Sequence, residues 1–183
     1  REPMARRIVE EPRDPAISLA STLRFDDFYN DQYPKLIGLA YALTGSRTVA
    51  EDLVHDAFTE AHRRWDRVCT YEFPEAWIRR VLINKSHSRG RRLISEAKMI
   101  SKVRSRRLEP EADVRLPDRS SAVWEAVRSL PTRQQQAITL HYWEDLTVAD
   151  IAAILNVGEE SVKTHLKRGR AKLGQLMEGQ RHG

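Results

Sequence analysis

The sequence has little cysteine and no long apolar run, and each absence excludes a class of protein. The single cysteine, Cys69, excludes an internal disulfide framework and a cysteine-rich zinc site. No stretch reaches the roughly 18 to 20 consecutive apolar residues that a membrane span needs. The basic amino-terminal residues are not followed by the apolar core of a signal peptide. We therefore expect a cytoplasmic protein with no membrane insertion.

Motifs of catalysis and cofactor binding are absent as well. The sequence has no HExxH pair, no phosphate-binding glycine loop and no nucleophile motif. His55 and His62 lie seven residues apart on one predicted helix, with Asp56 and Glu60 nearby, but this is not the HExxH spacing. We expect no catalytic residue, no metal and no cofactor, and hence a protein that is not an enzyme.

What the sequence does contain is basic charge, and that charge is unevenly distributed. The formal net charge is +5, yet residues 79–107 alone hold eleven Arg or Lys against one acid, Glu96. Such asymmetry predicts that a polyanion binds one part of the protein and that a different partner binds the acidic part. Nucleic-acid phosphates are the expected polyanion.

Apolar periodicity predicts an all-α protein with two small helical domains joined by a flexible linker. In the first domain, Thr44 and Gly45 end a helix, Thr48 and Glu51 predict a capping box for the next, and Pro74 opens a third. The segment LEPEADVRLPD has the prolines and acids typical of a linker. The predicted boundaries are 1–22 for a flexible amino-terminal segment, 23–92 for the first domain, 93–119 for the linker, 120–178 for the second domain and 179–183 for a tail.

The second domain contains a helix-turn-helix pattern near its carboxyl end. Thr147 and Asp150 predict a capping box, and Asn156 allows a tight turn before SVKTHLKRGRAKL. Val162 and Leu166 can pack on the preceding helix, which leaves the opposite face free to enter a major groove. A solvated charged face is the alternative. The predicted DNA contacts are Lys163, Thr164, Lys167, Arg168 and Arg170.

Two longer stretches resemble the extracytoplasmic-function (ECF) sigma factors of the sigma-70 class. The run FDDFYNDQYPKLIGLAYALTGSRTVAEDLVHDAFTEAHRRWDRV, followed by FPEAWIRRVLINKSHSRGRR, is similar to their sigma-two domain. The run SLPTRQQQAITLHYWEDLTVADIAAILNVGEESVKTHLKRGRAKL is similar to their sigma-four domain. The details WDRV, PEAW and RRVLIN most resemble an actinobacterial SigE-like subgroup. SVKTHL also resembles LuxR-type regulators, so a stand-alone helix-turn-helix DNA-binding transcription regulator is the alternative.

The resemblance implies a protein that binds core RNA polymerase and promoter DNA and promotes initiation of transcription. It aligns Lys163, Thr164 and Arg168 with positions that relatives use in the major groove of the minus-thirty-five element, to which all five helix-turn-helix residues are expected to bind. It also implies two contacts on the polymerase, the clamp coiled coil of the beta-prime subunit and the flap of the beta subunit, and it allows an anti-sigma factor as a further partner. The clamp would be contacted by four carboxylates, for which a solvated acidic face is the alternative: Glu51, Asp52, Asp56 and Glu60.

The first domain is also expected to recognise and melt the minus-ten element. A flipped base needs a loop pocket beside a basic surface for the single strand. The loop from Val68 to Phe73 is the predicted pocket, in which Tyr71 and Phe73 either stack on bases or fill the core. By its position in the resemblance, Asn84 is the predicted specificity residue. The cations expected to bind phosphates are Arg79, Arg80, Lys85, Arg89, Arg91 and Arg92.

Because the predicted linker is long, we expect the two domains to move independently when no partner is bound. Residues 93–119, fully extended, span at most roughly 90 Å. Two promoter elements about 50 to 60 Å apart, at about 3.4 Å per base pair, lie within that reach.

Overall fold

The part of the chain that the structure describes is built from helices and contains no β-strand, as the sequence predicts. The computed structural model describes residues 23–99 and 121–181, with side chains described for 23–88 and 122–179. The predicted amino-terminal segment and most of the predicted linker lie outside the described residues. Eight helices occupy the two ranges: α1 (Phe25–Thr44), α2 (Arg47–Arg63), α3 (Trp65–Val68), α4 (Pro74–Met99), α5 (Ser121–Arg128), α6 (Thr132–Tyr142), α7 (Val148–Leu155) and α8 (Glu159–Arg181). None of them is long and apolar enough to cross a membrane.

The turn between α1 and α2 forms only partly as predicted. Gly45 ends α1 in the left-handed conformation, with φ of 70°, and its N–H donates to the Tyr41 carbonyl at 2.7 Å. The predicted capping box of Thr48 and Glu51 is wrong. Ser46 caps α2 instead, its hydroxyl accepting from the Val49 N–H at 3.4 Å. Because Ser46 satisfies the first turn, α2 begins before Thr48.

Two helices extend beyond the predicted domain boundaries. α4 runs through Met99 into the predicted linker, and α8 runs through Arg181 into the predicted tail. Neither proline nor glycine interrupts residues 93–99, so no local signal stops α4 there. Gly174 and Gly179 lie within α8, where each costs helix stability of only about 1 kcal/mol.

The amino-terminal half is a bundle in which α1, α2 and α4 surround a shared apolar core. Leu36 from α1, Leu53 from α2 and both Ile78 and Leu82 from α4 are completely or almost completely buried. The short helix α3 ends at Val68, the first residue of the predicted loop, and Val68 belongs to this core. The core therefore fixes which faces of α2 and α4 remain exposed.

The carboxyl-terminal half forms the predicted helix-turn-helix. Thr147 and Asp150 make both hydrogen bonds of the capping box at the start of α7. Asn156 then adopts a φ of 54°, the left-handed conformation that turns the chain between α7 and α8. Val162 and Leu166 are buried against the preceding helices, so the packing face of α8 agrees with the sequence prediction.

The two halves pack directly on each other, which differs from the expectation of independent domains. α1 and α4 contact the carboxyl-terminal helices α5, α6 and α7, and the buried apolar residues of both halves form one continuous cluster. The side-chain amide of Gln135 on α6 donates to the Leu43 carbonyl of α1 at 2.8 Å. Interactions between distant parts of the sequence, which local patterns do not encode, produce this closed arrangement.

Candidate nucleic-acid and polymerase interfaces

The exposed face of α8 brings together four of the five residues predicted to contact the upstream DNA element. Lys163, Thr164, Lys167 and Arg168 are all exposed, because the buried positions Val162 and Leu166 hold the opposite face against the rest of the domain. This face can therefore approach a groove without any rearrangement of the core.

Acidic residues of the first turn modify this basic face. Glu160 accepts a hydrogen bond from the Lys163 ammonium at 2.6 Å, and this bond raises the pKa of Lys163. Both side chains are exposed, so the pair stabilises the helix little. Lys163 is thus partly neutralised, whereas Lys167 and Arg168 make no ion pair within the described residues.

Arg170, the fifth predicted contact, lies on the edge of α8 that borders α6. Its Nε donates to the Tyr142 hydroxyl at 2.8 Å, and its guanidinium carbon lies 5.7 Å from the centre of the same ring. Arg170 also lines an apolar cavity between α5, α6 and α8. The structure therefore separates it from the four residues of the exposed face.

The predicted minus-ten surface on α4 contains some side chains that are exposed and others that already bind groups of the protein. Asn84 is exposed and Lys85 is half-buried. Arg79 and Arg80, by contrast, bind groups of the carboxyl-terminal half, with Arg79 Nε 2.7 Å from a carboxylate oxygen of Glu144. The predicted phosphate ligands farther along α4, whose side chains lie outside the described part of the chain, are Arg89, Arg91 and Arg92.

Of the three side chains predicted for the loop that holds a flipped base, two are buried in the core. Val68 is 0% exposed and Tyr71 is 4% exposed, and the Tyr71 ring lies 6.5 Å from the Trp77 ring, centre to centre. Neither side chain is available to a base in this conformation. Phe73 remains half-buried and packs against the same core.

The acidic face of α2 is centred on Asp52 and Asp56, which are exposed one turn apart. The other two predicted docking carboxylates flank this centre and form ion pairs within the helix region. Glu51 accepts from Arg47 at 2.8 Å, and Glu60 lies 2.7 Å from Arg64. Sequence reasoning found all four acids but not the two basic partners, although the (i, i+4) spacing was available as a signal.

These features define a helical DNA-binding protein with a helix-turn-helix domain, and comparison with known proteins identifies its family. The family description "Sigma-70 region 2" matches residues 28–93, and "Sigma-70, region 4" matches residues 120–173. The chain belongs to the sigma-70 family, and it functions as an RNA polymerase sigma factor. The region 2 match gives no support to a stand-alone LuxR-like regulator, which would account for the carboxyl-terminal half alone.

Curated relatives support this assignment along most of the chain. The RNA polymerase sigma-E factor of Streptomyces avermitilis is 25% identical, with 85% of this chain and 86% of the relative covered. The ECF RNA polymerase sigma factor SigM of Mycobacterium tuberculosis is 28% identical, with 84% and 76% covered. SigW of Bacillus subtilis, also an ECF RNA polymerase sigma factor, is 28% identical, with 80% and 83% covered. The predicted ECF relationship is therefore confirmed.

Solved structures share the fold. The sigma factor RpoE, in a complex with the anti-sigma factor NepR from Bartonella quintana, matches with a TM-score of 0.68 and 24% identity, covering 84% of this chain and 98% of that one. CnrH, in a complex with the cytosolic domain of CnrY, matches with a TM-score of 0.60 and 20% identity, covering 96% and 98%. At sequence identities this low, the similarity shows only that the helices are arranged in the same fold.

Proposed function

We propose that this sigma factor uses three separate surfaces: the acidic face of α2 for core polymerase, α4 for the minus-ten element and α8 for the minus-thirty-five element. The observation that supports this assignment is the segregation of exposed charge, with acids on α2 and cations on α8. Opposite charges on separate faces suit two different partners. In this proposal the chain contributes binding and not catalysis, and it acts in the cytoplasm.

The proposed docking surface on α2 combines two exposed central carboxylates, Asp52 and Asp56, with two flanking ones. Glu51 and Glu60 are already paired with nearby arginines, whereas Asp56 makes no ion pair within the described residues. A basic group on the clamp coiled coil of the beta-prime subunit would gain most from Asp56, and Asp52 is exposed one turn away on the same face. Charge complementarity of this kind raises association rates and fixes the orientation of docking.

Charge reversal tests the docking surface. The double variant Asp52→Lys with Asp56→Lys should lose co-purification with core polymerase and run-off transcription, because two favourable contacts become repulsive. The matched control is Asp66→Lys with Glu72→Lys, two exposed acids outside α2. The control makes the same change in net charge and should retain binding. Equal retention of polymerase by both double variants would contradict the docking assignment.

The proposed minus-thirty-five contacts are three cations of α8, Lys163, Lys167 and Arg168, and the neighbouring Thr164. Arg168 can bind a guanine edge with two hydrogen bonds, and Thr164 can contact a base or a methyl group. Lys167 suits a phosphate or a base, and Lys163 must first leave Glu160. We assign Arg170 to a supporting position, since Tyr142 holds its guanidinium at the edge of the helix.

The proposed minus-ten specificity residue is Asn84, which is exposed on α4 one turn after Arg80. An amide can pair with the Watson–Crick edge of a flipped base. Asn84→Ala should leave binding to a duplex upstream element unchanged and reduce permanganate reactivity in the melted region. Ser88→Ala, at an exposed position one turn farther along α4, is the control. Normal melting by Asn84→Ala would remove Asn84 from the specificity site.

A further polymerase contact is proposed at the apolar cavity of the carboxyl-terminal half. The cavity has a volume of about 530 Å³. It is lined by Val123, Trp124, Val127, Ile138, Tyr142, Arg170 and Leu173. An apolar groove between helices suits an amphipathic helix, and we assign it to the flap of the beta subunit. An anti-sigma factor is included among the proposed partners because RpoE of Bartonella quintana was solved with one.

A further inference from the structure

The carboxyl-terminal half contains an apolar cavity between α5, α6 and α8 whose size suits a small molecule. Its volume of about 530 Å³ lies within the range of small-molecule sites, about 300 to 1,000 Å³. Trp124 and Val127 from α5 and Ile138 from α6 line it, and they are 8%, 2% and 2% exposed. Because the rest of the domain holds these three side chains in place, they form a ready-made apolar floor.

A glycine allows the close packing of α6 and α8 beside this cavity. Gly169 on α8 faces Ile138 on α6, and a Cβ at Gly169 would come within 2.8 Å of Ile138 Cγ1. Any larger residue at this position would push the two helices apart. The close approach brings Arg170, the next residue of α8, beside Tyr142, which lies one turn after Ile138 on α6.

The charged group among the described residues that line the cavity is a cation at its rim, and none of them is acidic. Arg170 and Tyr142 are both exposed there. The Arg170 Nε donates to the Tyr142 hydroxyl at 2.8 Å, and this bond orients the guanidinium at the edge of the ring. The terminal nitrogens of Arg170 make no hydrogen bond or ion pair within the described residues. The cavity therefore presents unused cationic donors above an apolar floor.

We propose that this cavity binds a free apolar carboxylate, such as a medium-chain fatty acid, with its chain on the apolar floor and its carboxylate on Arg170. A guanidinium matches a carboxylate with two parallel hydrogen bonds, and such charge-assisted bonds are stronger than neutral ones. The apolar floor adds dependence on chain length, because each buried methylene increases affinity by about fourfold. An apolar cation of the same length would be repelled by Arg170.

This site gives the sigma factor a small-molecule ligand in addition to its macromolecular partners. The flap of the beta subunit is proposed to occupy the same cavity, so a bound acid and the flap exclude each other. That consequence rests on the proposed function, whereas the binding site itself does not. Apolar acids would then weaken the contact of the carboxyl-terminal half with polymerase.

Calorimetric titration of the protein with decanoate, below the concentration at which it forms micelles, tests the binding site. Decanoate should bind saturably, and octanoate, which is two methylenes shorter, should bind about tenfold more weakly. Decyltrimethylammonium has the same chain length and the opposite charge, and it should show no saturable binding. Equal affinity for decanoate and this cation would overturn the proposal, because the apolar surface alone would then explain binding.

Three variants locate the site within the cavity. Arg170→Gln should lower decanoate affinity about tenfold, because a hydrogen bond to a charged group is lost. Lys172→Gln makes the same change in net charge at an exposed position of α8 outside the cavity, and it should shift the affinity by less than about twofold. Val123→Trp fills the cavity from a half-buried position and should abolish binding, with unchanged helix content by circular dichroism. Equal affinities of the two glutamine variants, or binding retained by Val123→Trp, would overturn the site.

Flotation with phosphatidylglycerol vesicles distinguishes a free acid from a membrane surface. The native protein and Arg170→Gln should bind vesicles alike, and vesicle binding that requires Arg170 would overturn the assignment to a free acid.

Run-off transcription separates the acid site from the flap assignment. Decanoate should inhibit transcription by the native factor at about tenfold lower concentration than transcription by Arg170→Gln. Direct effects of decanoate on core polymerase are the same for both factors. Calorimetric binding without this difference would contradict the flap assignment and support the acid site alone. Absence of calorimetric binding would overturn the acid site, whatever the transcription result.

Discussion

The cations of α8 and the arginines of α4 differ in what surrounds them, although the sequence predicts DNA contacts for both. Lys167 and Arg168 extend from an exposed helix face and make no ion pair within the described residues. Arg79 and Arg80 extend from α4 into the contact between the halves. The same residue type is therefore ready to bind on one helix and occupied on the other. Whether a cation is available to bind DNA therefore depends on its contacts with distant residues and not on its residue type alone.

This difference suggests an order of events for the proposed function. The α8 face can meet duplex DNA without any change in the described structure, whereas the α4 arginines must first exchange protein acceptors for phosphates. Such an exchange requires a partner that binds the separated halves more tightly than the closed form. Promoter melting would then follow polymerase binding and not precede it.

The largest expected effect tests whether α8 recognises bases. Arg168→Ala should reduce the preference for the cognate upstream element over a scrambled element by about 1 to 3 kcal/mol, because a paired contact with a base edge is lost. Lys172→Ala, also exposed on α8, is the matched loss of charge and should weaken binding to both elements alike. Duplex binding by anisotropy provides the comparison. Equal weakening on both elements by Arg168→Ala would show that this residue contacts only phosphates.

A smaller effect is expected when the α4 contact is broken. Arg79→Leu leaves Glu144 without its partner, a change that costs about 3 to 5 kcal/mol in a closed interior. In this protein the halves can separate and expose Glu144 to water. The free energy of unfolding should therefore fall by less, about 1 to 2 kcal/mol. Calorimetry should show one unfolding transition splitting into two. Adding Glu144→Leu should restore a single transition, and a persistent split would contradict the assigned role of the pair.

Local signals in the sequence predicted much of the fold. Thr147 and Asp150 predicted the start of α7, and Gly45 predicted the end of α1, because each acts on its own helix terminus. The start of α2 was missed because Ser46 and Thr48 both fit a cap, and the sequence does not say which hydroxyl reaches a backbone N–H. The local sequence thus predicts that a helix begins in this segment. Its first residue depends on which of two possible capping side chains bonds to a backbone N–H.

The candidate sites were predicted less completely because they depend on contacts between distant residues. Arg79 and Glu144 lie 65 positions apart, and no periodicity relates them. Tyr71 lies in a segment without helical periodicity, so its sequence did not distinguish a base-stacking ring from a core ring; the structure places it in the core. Exposed positions on α2 and α8 were predicted correctly, since the apolar period of one helix determines both its buried and its exposed face.

The smallest expected effect concerns His165, which lies on α8 beside the proposed DNA face. Burial, followed by the positive charges of Arg133 and Arg168, lowers the pKa of His165 from its ordinary value of 6.5. The folded state therefore binds this proton less readily than the unfolded state, so stability is lost as the pH falls below about 6.5 toward the folded pKa. Solvent screening limits the loss to about a few tenths of a kcal/mol. Chemical unfolding at pH 7 and pH 5 should show a smaller decline for His165→Gln than for the native protein. Identical declines would mean that neither burial nor the arginines of α6 and α8 oppose protonation of His165.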